Sequence, residues 1–371
     1  MQRTLYVGLD VHKASISATV AEEGRDGAVR FIGAIANTPT EVAKLARRLS
    51  RNGDRLDFCY EAGGCGYGIY RQLIALGHSC TLAAPSLIAR KPGDRVKTDR
   101  RDSEMLALQH RHGDLTAVWV PDPVHEALRD LVRARMDAVM QLMRARQQLL
   151  AFLLRHGRIY ETGKNWTLRH RRWLSTQSFD QTAHQIVFQD YVEAVWTAQN
   201  RRDHLEARIT AMLPDWSMAP VVEALRAIRG IDLISSVIFV SGVGDMSRFE
   251  KPRQLMAYLG LTPSEHSSGS RIRRGAITRA GNGEARRMLV EAAWSYRYQA
   301  RVSSGKTDVV SKLPKPVRDI AWTAQVRLCD RYRKLSASGK KPTVVVTAIA
   351  RELCGFAWAI GQAVTMSPKL S

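Results

Sequence analysis

Four acidic residues are spaced so that one fold could gather them into a single site: Asp10, Glu61, Asp99 and Asp102. Asp10 ends an apolar run in GLDVHK and Glu61 ends another in FCYEAGG. Asp99 and Asp102 stand three residues apart in VKTDRRDSEML. That spacing puts two carboxylates on one face of a helix. Acids from strand ends, brought together at the edge of one sheet, offer oxygen ligands to hard divalent cations. Two such ions can stabilise the attacking and leaving oxygens of a phosphodiester displacement. Taken singly, each acid has a plainer use: Asp10 as a turn cap, Asp99 as a helix N-cap with Asp102 at the third position beyond it. His12 and Lys13 read as a solvated turn or as a phosphate contact. Gly63, Gly64 and Gly66 allow close backbone approach after Glu61, or simply turn the chain into the next helix.

The elements needed to position these acids are legible. Thr4–Leu9, Ser15–Ala21 and Val29–Ile35 are apolar or alternating runs separated by turn residues, which predicts an antiparallel meander. Helix is predicted over Thr40–Leu49, strand over Leu56–Tyr60, helix over Gly66–Leu76, strand over Cys80–Ala84 and helix over Asp99–Arg111. Hairpin-paired strands followed by alternating strands and helices give a mixed sheet flanked by helices. The order is that of a ribonuclease H-like nuclease: acid on the first strand, acid on the fourth, acids on a late helix.

From Val124 to Leu213 there is no proline, and apolar residues such as Leu128, Val132, Leu142, Leu149 and Leu153 recur at helical spacing. This predicts a long amphipathic helix or helical hairpin, coiled-coil in character. The segment Gly157–Leu174 breaks it and is rich in basic and aromatic residues, as a nucleic-acid-touching tip or a solvated loop would be. Within Leu225–Arg248, two helices joined at Arg229-Gly230-Ile231 resemble a helix-hairpin-helix, whose turn amides could hold a phosphate. Beyond it Arg271, Arg273, Arg274, Arg279, Arg286 and Arg287 accumulate, and Thr343–Ile360 is a last apolar helix. The expected fold class is α/β plus α: a mixed-sheet domain over residues 1–118, a helical connector over 119–213 and a mainly helical domain over 214–371.

Composition narrows the partner. The 371 residues carry 56 Lys and Arg against 35 Asp and Glu, a formal net charge of +21. Such a field favours a polyanion. Five cysteines without a CxxC pair argue against a disulfide framework or zinc site and fit a reducing cytoplasm. The N-terminus has no long apolar core, and the apolar stretches look far short of the ~18–20 residues that span a bilayer. Nucleic acid is therefore favoured over a membrane surface.

The motifs GLDVHK, YEAGGCGYGIYR and KTDRRDSEMLA, with RFEKPRQLMAYLGLTPSEHSSGSRIRRGAITRAGNGEARRMLVEAAW near the other end, resemble the DEDD-type insertion-sequence transposases of the insertion sequence 110 family. The resemblance covers roughly residues 4–115 and 220–300. It implies a RuvC-like N-terminal domain whose four acids hold Mg²⁺ or Mn²⁺. It also implies a C-terminal domain whose serine attacks a DNA phosphate and forms a covalent phosphoserine link. Carried onto Pro263-Ser264-Glu265-His266-Ser267-Ser268-Gly269, the nucleophile falls on Ser268, with Ser267 as the fallback. A hydroxyl is a weak nucleophile that needs a base, a metal or a neighbouring charge. If the segment is extended, His266 lies on the side of Ser268. The six arginines become phosphate contacts, and Ser270 stands where a second glycine is common. The resemblance further implies donor and target DNA as substrates, a noncoding guide RNA encoded by the element, and a dimer or tetramer. Three other readings compete: a junction-resolving nuclease using the same acids with water, a non-catalytic nucleic-acid-binding protein, and an actin-like sugar kinase. The kinase lacks a second Asp-Gly phosphate loop in this sequence.

Overall fold

A computed structural model describes residues 3–89, 98–268 and 271–365. Gly269 and Ser270 of the serine motif lie outside the described residues. The chain divides into two compact units, Met1–Val120 and Pro121–Ser371.

The first unit begins with β1 (Thr4–Val11), β2 (Ser15–Glu22) and β3 (Val29–Ala36), followed by α1 (Pro39–Leu49), β4 (Arg55–Glu61), α2 (Gly68–Ala75), β5 (Ser79–Ala83) and α3 (Asp99–His112). The five strands form one mixed sheet in the order β3-β2-β1-β4-β5. β1 and β2, and β2 and β3, pair antiparallel; β1 pairs parallel with β4, and β4 with β5. Side chains alternate across a strand, so the two faces are read directly. Leu5, Val7, Leu9, Leu56, Phe58 and Tyr60 enter one core with Val42 and Leu45 of α1 and Ile69 and Leu73 of α2. The opposite face carries Gly8, Asp10, Cys59 and Glu61, and α3 lies against it through Ser103, Leu106 and Ala107. The meander and the strand–helix alternation thus stand as the sequence predicts.

The second unit opens with α4 (Pro123–Arg155), α5 (Leu168–Ser175) and α6 (Thr182–Met212). Side-chain bonds Arg135–Glu206, Arg201–Gln141 and Arg146–Gln199 set α4 and α6 antiparallel, because partner numbers fall along α6 as they rise along α4. α4 and α6 therefore form a helical hairpin. Leu142, Leu149 and Phe152 of α4 pack on Phe188 and Val195 of α6. The aromatic residues of Gly157–Leu174 are folded inward: Tyr160, Trp166 and Trp173 all ring His170, and Arg146 lies over Trp166. The aromatic half of that segment therefore packs, while Lys164, Arg169 and Arg172 stay exposed.

The remaining elements are α7 (Ala219–Leu225), α8 (Leu233–Val243), α9 (Pro252–Tyr258), β6 (Pro263–Glu265), β7 (Arg274–Ile277), α10 (Gly283–Ala293), α11 (Ser304–Ser311), α12 (Lys315–Ala337) and α13 (Pro342–Thr365). Leu128 and Val132 of α4 join their core, so α4 contributes to two hydrophobic clusters. One expectation is corrected here. Pro342–Val364 is long and apolar enough, by length and mean hydropathy, to cross a membrane. Arg351 and Glu352 interrupt its apolar run but do not outweigh its Val, Ala and Ile content. Val345, Val346, Ile349, Leu353, Cys354 and Ile360 are buried in the core, and Glu352 pairs with Arg327 and Arg331 of α12. All five cysteines are free thiols.

Candidate active site

Gly8 decides where α3 lies. A Cβ at this position would stand 2.3 Å from the Ser103 carbonyl oxygen and 2.4 Å from the Ala107 nitrogen. Only glycine lets the helix backbone approach β1 this closely. A buried bond of 2.8 Å between Thr19 Oγ1 and Ser103 Oγ ties α3 to β2 as well. The helix start is set by Thr98, whose hydroxyl accepts the Arg101 amide. This corrects the reading of Asp99 as N-cap: Asp99 is the first helical residue, and its carboxylate is left for other partners. Its place in the first turn, with Asp102, also suits the positive end of the helix dipole.

The result is a cluster at the end of β1. His12 Nε2 lies 3.2 Å from Asp10 Oδ2 and 3.5 Å from Asp99 Oδ1. One ligand atom from each of Asp10, His12 and Asp99 fits within 4.8 Å of the others. Burial holds the Asp10 carboxyl above its ordinary pKa; His12 opposes this, and the charges of Asp102 and Asp99 add to it. Asp102 is therefore close enough to be felt at Asp10. Glu61 is the last residue of β4, one step beyond the parallel pair Leu9–Tyr60, and so sits beside Asp10 at the same sheet edge and on the same face. It is exposed, and it is not one of the three residues whose ligand atoms converge.

His12, which in sequence reads as a solvated turn or a phosphate contact, is the third member of the cluster. His12 stands two residues beyond Asp10, just past the end of β1, and its ring reaches the Asp10 carboxylate. The glycines after Glu61 are a turn. Gly66 takes φ +66°, and its carbonyl accepts the Tyr60 hydroxyl at 3.0 Å.

In the second unit the serine motif forms a hairpin. β6 and β7 pair antiparallel, and Ser268 and Arg271 bridge at the tip. His266 N donates to the Arg273 carbonyl at 2.9 Å. Ser267 Oγ donates to Glu265 Oε1 at 2.9 Å and accepts the Arg273 amide at 3.3 Å. Glu265 also takes Arg274 Nε at 3.3 Å, and its pKa is lowered by the Ser267 and Arg274 bonds. Ser267 thus faces Glu265. Among the described residues the Ser268 hydroxyl makes no hydrogen bond, and none joins it to His266.

The six arginines divide by what they touch. Arg286 Nη1 donates to the Leu259 and Ala280 carbonyls, both at 2.8 Å, and holds the chain before α10. Arg274 pairs with Glu265, and Arg287 lies 4.0 Å from Glu284. Arg271, Arg273 and Arg279 are exposed. Arg279 adopts φ +58° beside Gly260 and Gly281, where added Cβ atoms would strike backbone at 2.3 and 1.8 Å. Asn282 then caps α10.

The turn between α7 and α8 contains Gly230 at φ +82°, packed so closely that a Cβ would meet the Ala292 carbonyl at 2.6 Å. Lys306 Nζ donates to the carbonyls of Arg226, Ile228 and Ile231, at 2.7, 2.5 and 2.7 Å. An ammonium therefore satisfies the carbonyl side of the hairpin.

A mixed sheet with clustered acids at its strand ends, together with a strongly basic chain, is the equipment of a protein that acts on nucleic-acid phosphates. The DEDD transposase family profile matches residues 7–157, and the profile described as "Transposase IS116/IS110/IS902 family" matches residues 222–308. The chain is 52% identical over 360 residues to "Putative transposase y4qE" of Sinorhizobium fredii, covering 97% of this chain and 89% of that protein. It is 29% identical over 345 residues to "Transposase for insertion sequence element IS1533" of Leptospira borgpetersenii, covering 92% and 99%. It is 28% identical over 266 residues to "Probable family 20 transposase" of Pseudomonas aeruginosa, covering 68% and 73%. The chain belongs to the IS110 family of transposases. Its substrates are therefore DNA, and the acid cluster together with the DEDD family points to divalent-metal use.

Proposed function

We propose that this transposase cuts and rejoins donor and target DNA through a covalent phosphoserine at Ser268, assisted by a divalent cation at Asp10, Glu61, Asp99 and Asp102. The observation that carries the reading is the gathering of acids at the end of β1, held there by the Gly8–α3 contact. The donor set fits a hard cation: mostly carboxylate oxygens, with mutual repulsion felt at Asp10 that a positive ion relieves. Mg²⁺ or Mn²⁺ in this site would polarise phosphate oxygens and offset their developing charge. Asp10, Asp99, Asp102 and Glu61 would hold it, and His12 orients Asp10 and Asp99.

Ser268 is favoured over Ser267 because Ser267 is used to lock the hairpin through Glu265 and the Arg273 amide. In the cutting step the Ser268 Oγ–P bond forms, one strand P–O bond breaks, the departing strand oxygen takes a proton, and the serine proton passes to a base. His266, two residues before Ser268, is the candidate for that base. In rejoining, a strand hydroxyl gives its proton to a base and attacks the phosphoserine, and the serine oxygen leaves and takes a proton back. Bond energy is conserved, and no nucleotide cofactor is consumed. Arg271, Arg273, Arg274 and Arg279, in or next to the hairpin, and Arg287 on α10 are assigned to hold the DNA backbone, and Arg286 holds the chain before α10.

The first unit is read as a ribonuclease H-like, RuvC-like domain, residues 119–213 as the connector and 214–371 as the serine-bearing domain. Choice of site is assigned to pairing of both DNAs with an element-encoded noncoding RNA, and the acting form to a dimer or tetramer. The test uses protein, Mg²⁺, that RNA and end-labelled donor and target DNA on a denaturing protein gel. A labelled adduct should form with wild type and vanish in Ser268→Ala and Asp10→Ala. Loss only in Ser267→Ala would move the nucleophile by one residue. Cleavage without adduct, equal in both serine variants, would leave a metal-dependent nuclease.

A further inference from the structure

The second unit carries a basic pocket whose lining includes no residue of the acid cluster or the serine hairpin. It lies between the Gly230 turn, α11 and α12, and is lined by Arg229, Arg301, Lys306, Arg318, Trp322 and Gln325, with no acidic residue in its wall. Two of its cations are already committed: Lys306 to three carbonyls, and Arg229 to the Gln299 carbonyl at 2.7 Å. Arg301 and Arg318 are exposed, and their guanidinium groups make no bond among the described residues. Arg318, Trp322 and Gln325 are spaced by four and three residues, so they share one face of α12.

Two features of that face lack an internal purpose. Trp322 is 48% exposed and packs against no other ring among the described residues. Gln325 is only 6% exposed as a residue and lines the pocket. Its amide is not closed off by protein and can bond to what enters the pocket. Tyr298, 55% exposed, lies beside the pocket under Arg229 and Arg297.

We propose that this pocket takes one nucleotide of an unpaired nucleic-acid strand, with the base stacked on Trp322, its edge hydrogen-bonded by Gln325, and its phosphate held by Arg301 and Arg318. An aromatic face beside unpaired arginines is how proteins hold single strands. Duplex would not fit, because its bases are stacked away from such a face. The inference rests on nucleic acid being the partner of this chain but not on the chemistry at Ser268.

The test measures binding of full-length protein to fluorescein-labelled oligo-dT, oligo-U and a DNA duplex of equal length. Trp322→Ala should weaken binding of the unpaired strands on the order of ten-fold or more, with duplex binding unchanged. Trp322→Phe should retain most of the affinity but lose the tryptophan quenching that unpaired strand produces in wild type. Arg318→Gln should weaken the unpaired strands and reduce their salt dependence. A stronger effect on oligo-U than on oligo-dT would identify RNA as the occupant, and the reverse would identify DNA. Unchanged binding of both unpaired probes by Trp322→Ala and Arg318→Gln overturns the pocket while leaving the proposed function standing. Failure of wild type to bind any of the three probes overturns the nucleic-acid reading itself.

Discussion

Substituting Gly8 by alanine tests whether the acid cluster is built by the α3 contact. The new Cβ would lie 2.3 Å from the Ser103 carbonyl oxygen, 2.4 Å from the Ala107 nitrogen and 3.0 Å from the Ala107 Cα. All three are backbone atoms, so no side chain can rotate away. Ordinary contact distances are about 3.5 Å, and α3 must therefore retreat from β1 by about 1 Å. Forcing a packed interface apart in this way costs about 1–3 kcal/mol, and a melt of the protein should show the first unit unfolding several degrees earlier. The larger effect falls on chemistry. Asp99 and Asp102 ride on α3 while Asp10 stays on β1, and a misplacement of about 1 Å between reacting groups can cost on the order of 100-fold in rate. The assay pairs thermal denaturation with metal-dependent adduct formation on labelled DNA. Gly64→Ala, where an added Cβ meets nothing within 4 Å, serves as the control and should change neither. If Gly8→Ala melts and reacts like wild type, the close approach of α3 does not position the acids and the reasoning fails.

Arg271→Gln and Arg273→Gln should each lower the slope of log affinity against log salt for DNA by about 1, with no change in melting temperature. Arg286→Gln should instead lower the melting temperature, because it strips the Leu259 and Ala280 carbonyls of their donor. A normal melt for Arg286→Gln would refute that division of labour. Lys306→Met leaves three carbonyls of the α7–α8 turn without their ammonium, so calorimetry should show the second unit destabilised by about 1–3 kcal/mol; a neutral result would mean that water replaces the cation. Glu265 has its pKa lowered by Ser267 and Arg274, so its contribution to the hairpin is present above the ordinary value of 4.5 and lost as pH falls through the lowered value. Side-chain carbon shifts of Glu265 and the amide shift of Arg273 should titrate together with a midpoint below 4.5, and a midpoint at or above it would dissolve the proposed lock.

The strands and helices of the first unit were readable because their signals are local: period-two alternation, glycine turns and polar helix starts. The partnership of α3 with β1 was not, since nothing in DRRDSEML announces that a glycine ninety residues earlier lacks a Cβ to hold it off. His12 illustrates the same limit from the other side. Its spacing from Asp10 was visible, but its approach to Asp99 depends on that helix placement. Among the basic residues, composition gave the sign of the partner and no more. Arg286 and Arg273 look alike in sequence, yet one holds carbonyls and the other is exposed. Nor did local signals reveal the short β6–β7 pair or the face of α12, because three- and four-residue strands and a mixed helix face leave weak patterns.

The choice between two adjacent serines turns on strand geometry. In extended chain Ser267 and Ser268 must point to opposite sides. Glu265, two residues before Ser267, claims the first of them, and the Arg273 amide fixes it from the facing strand. A serine held by a carboxylate and an amide is a poor candidate for attack if those same bonds keep the hairpin closed, because using it as a nucleophile would open the platform it stands on. Ser268 has no such side-chain bond among the described residues and stands at the tip beside Arg271. Replacing Ser267 by alanine should therefore loosen the hairpin and slow the reaction while an adduct still forms. Replacing Ser268 should leave the hairpin intact and the adduct absent.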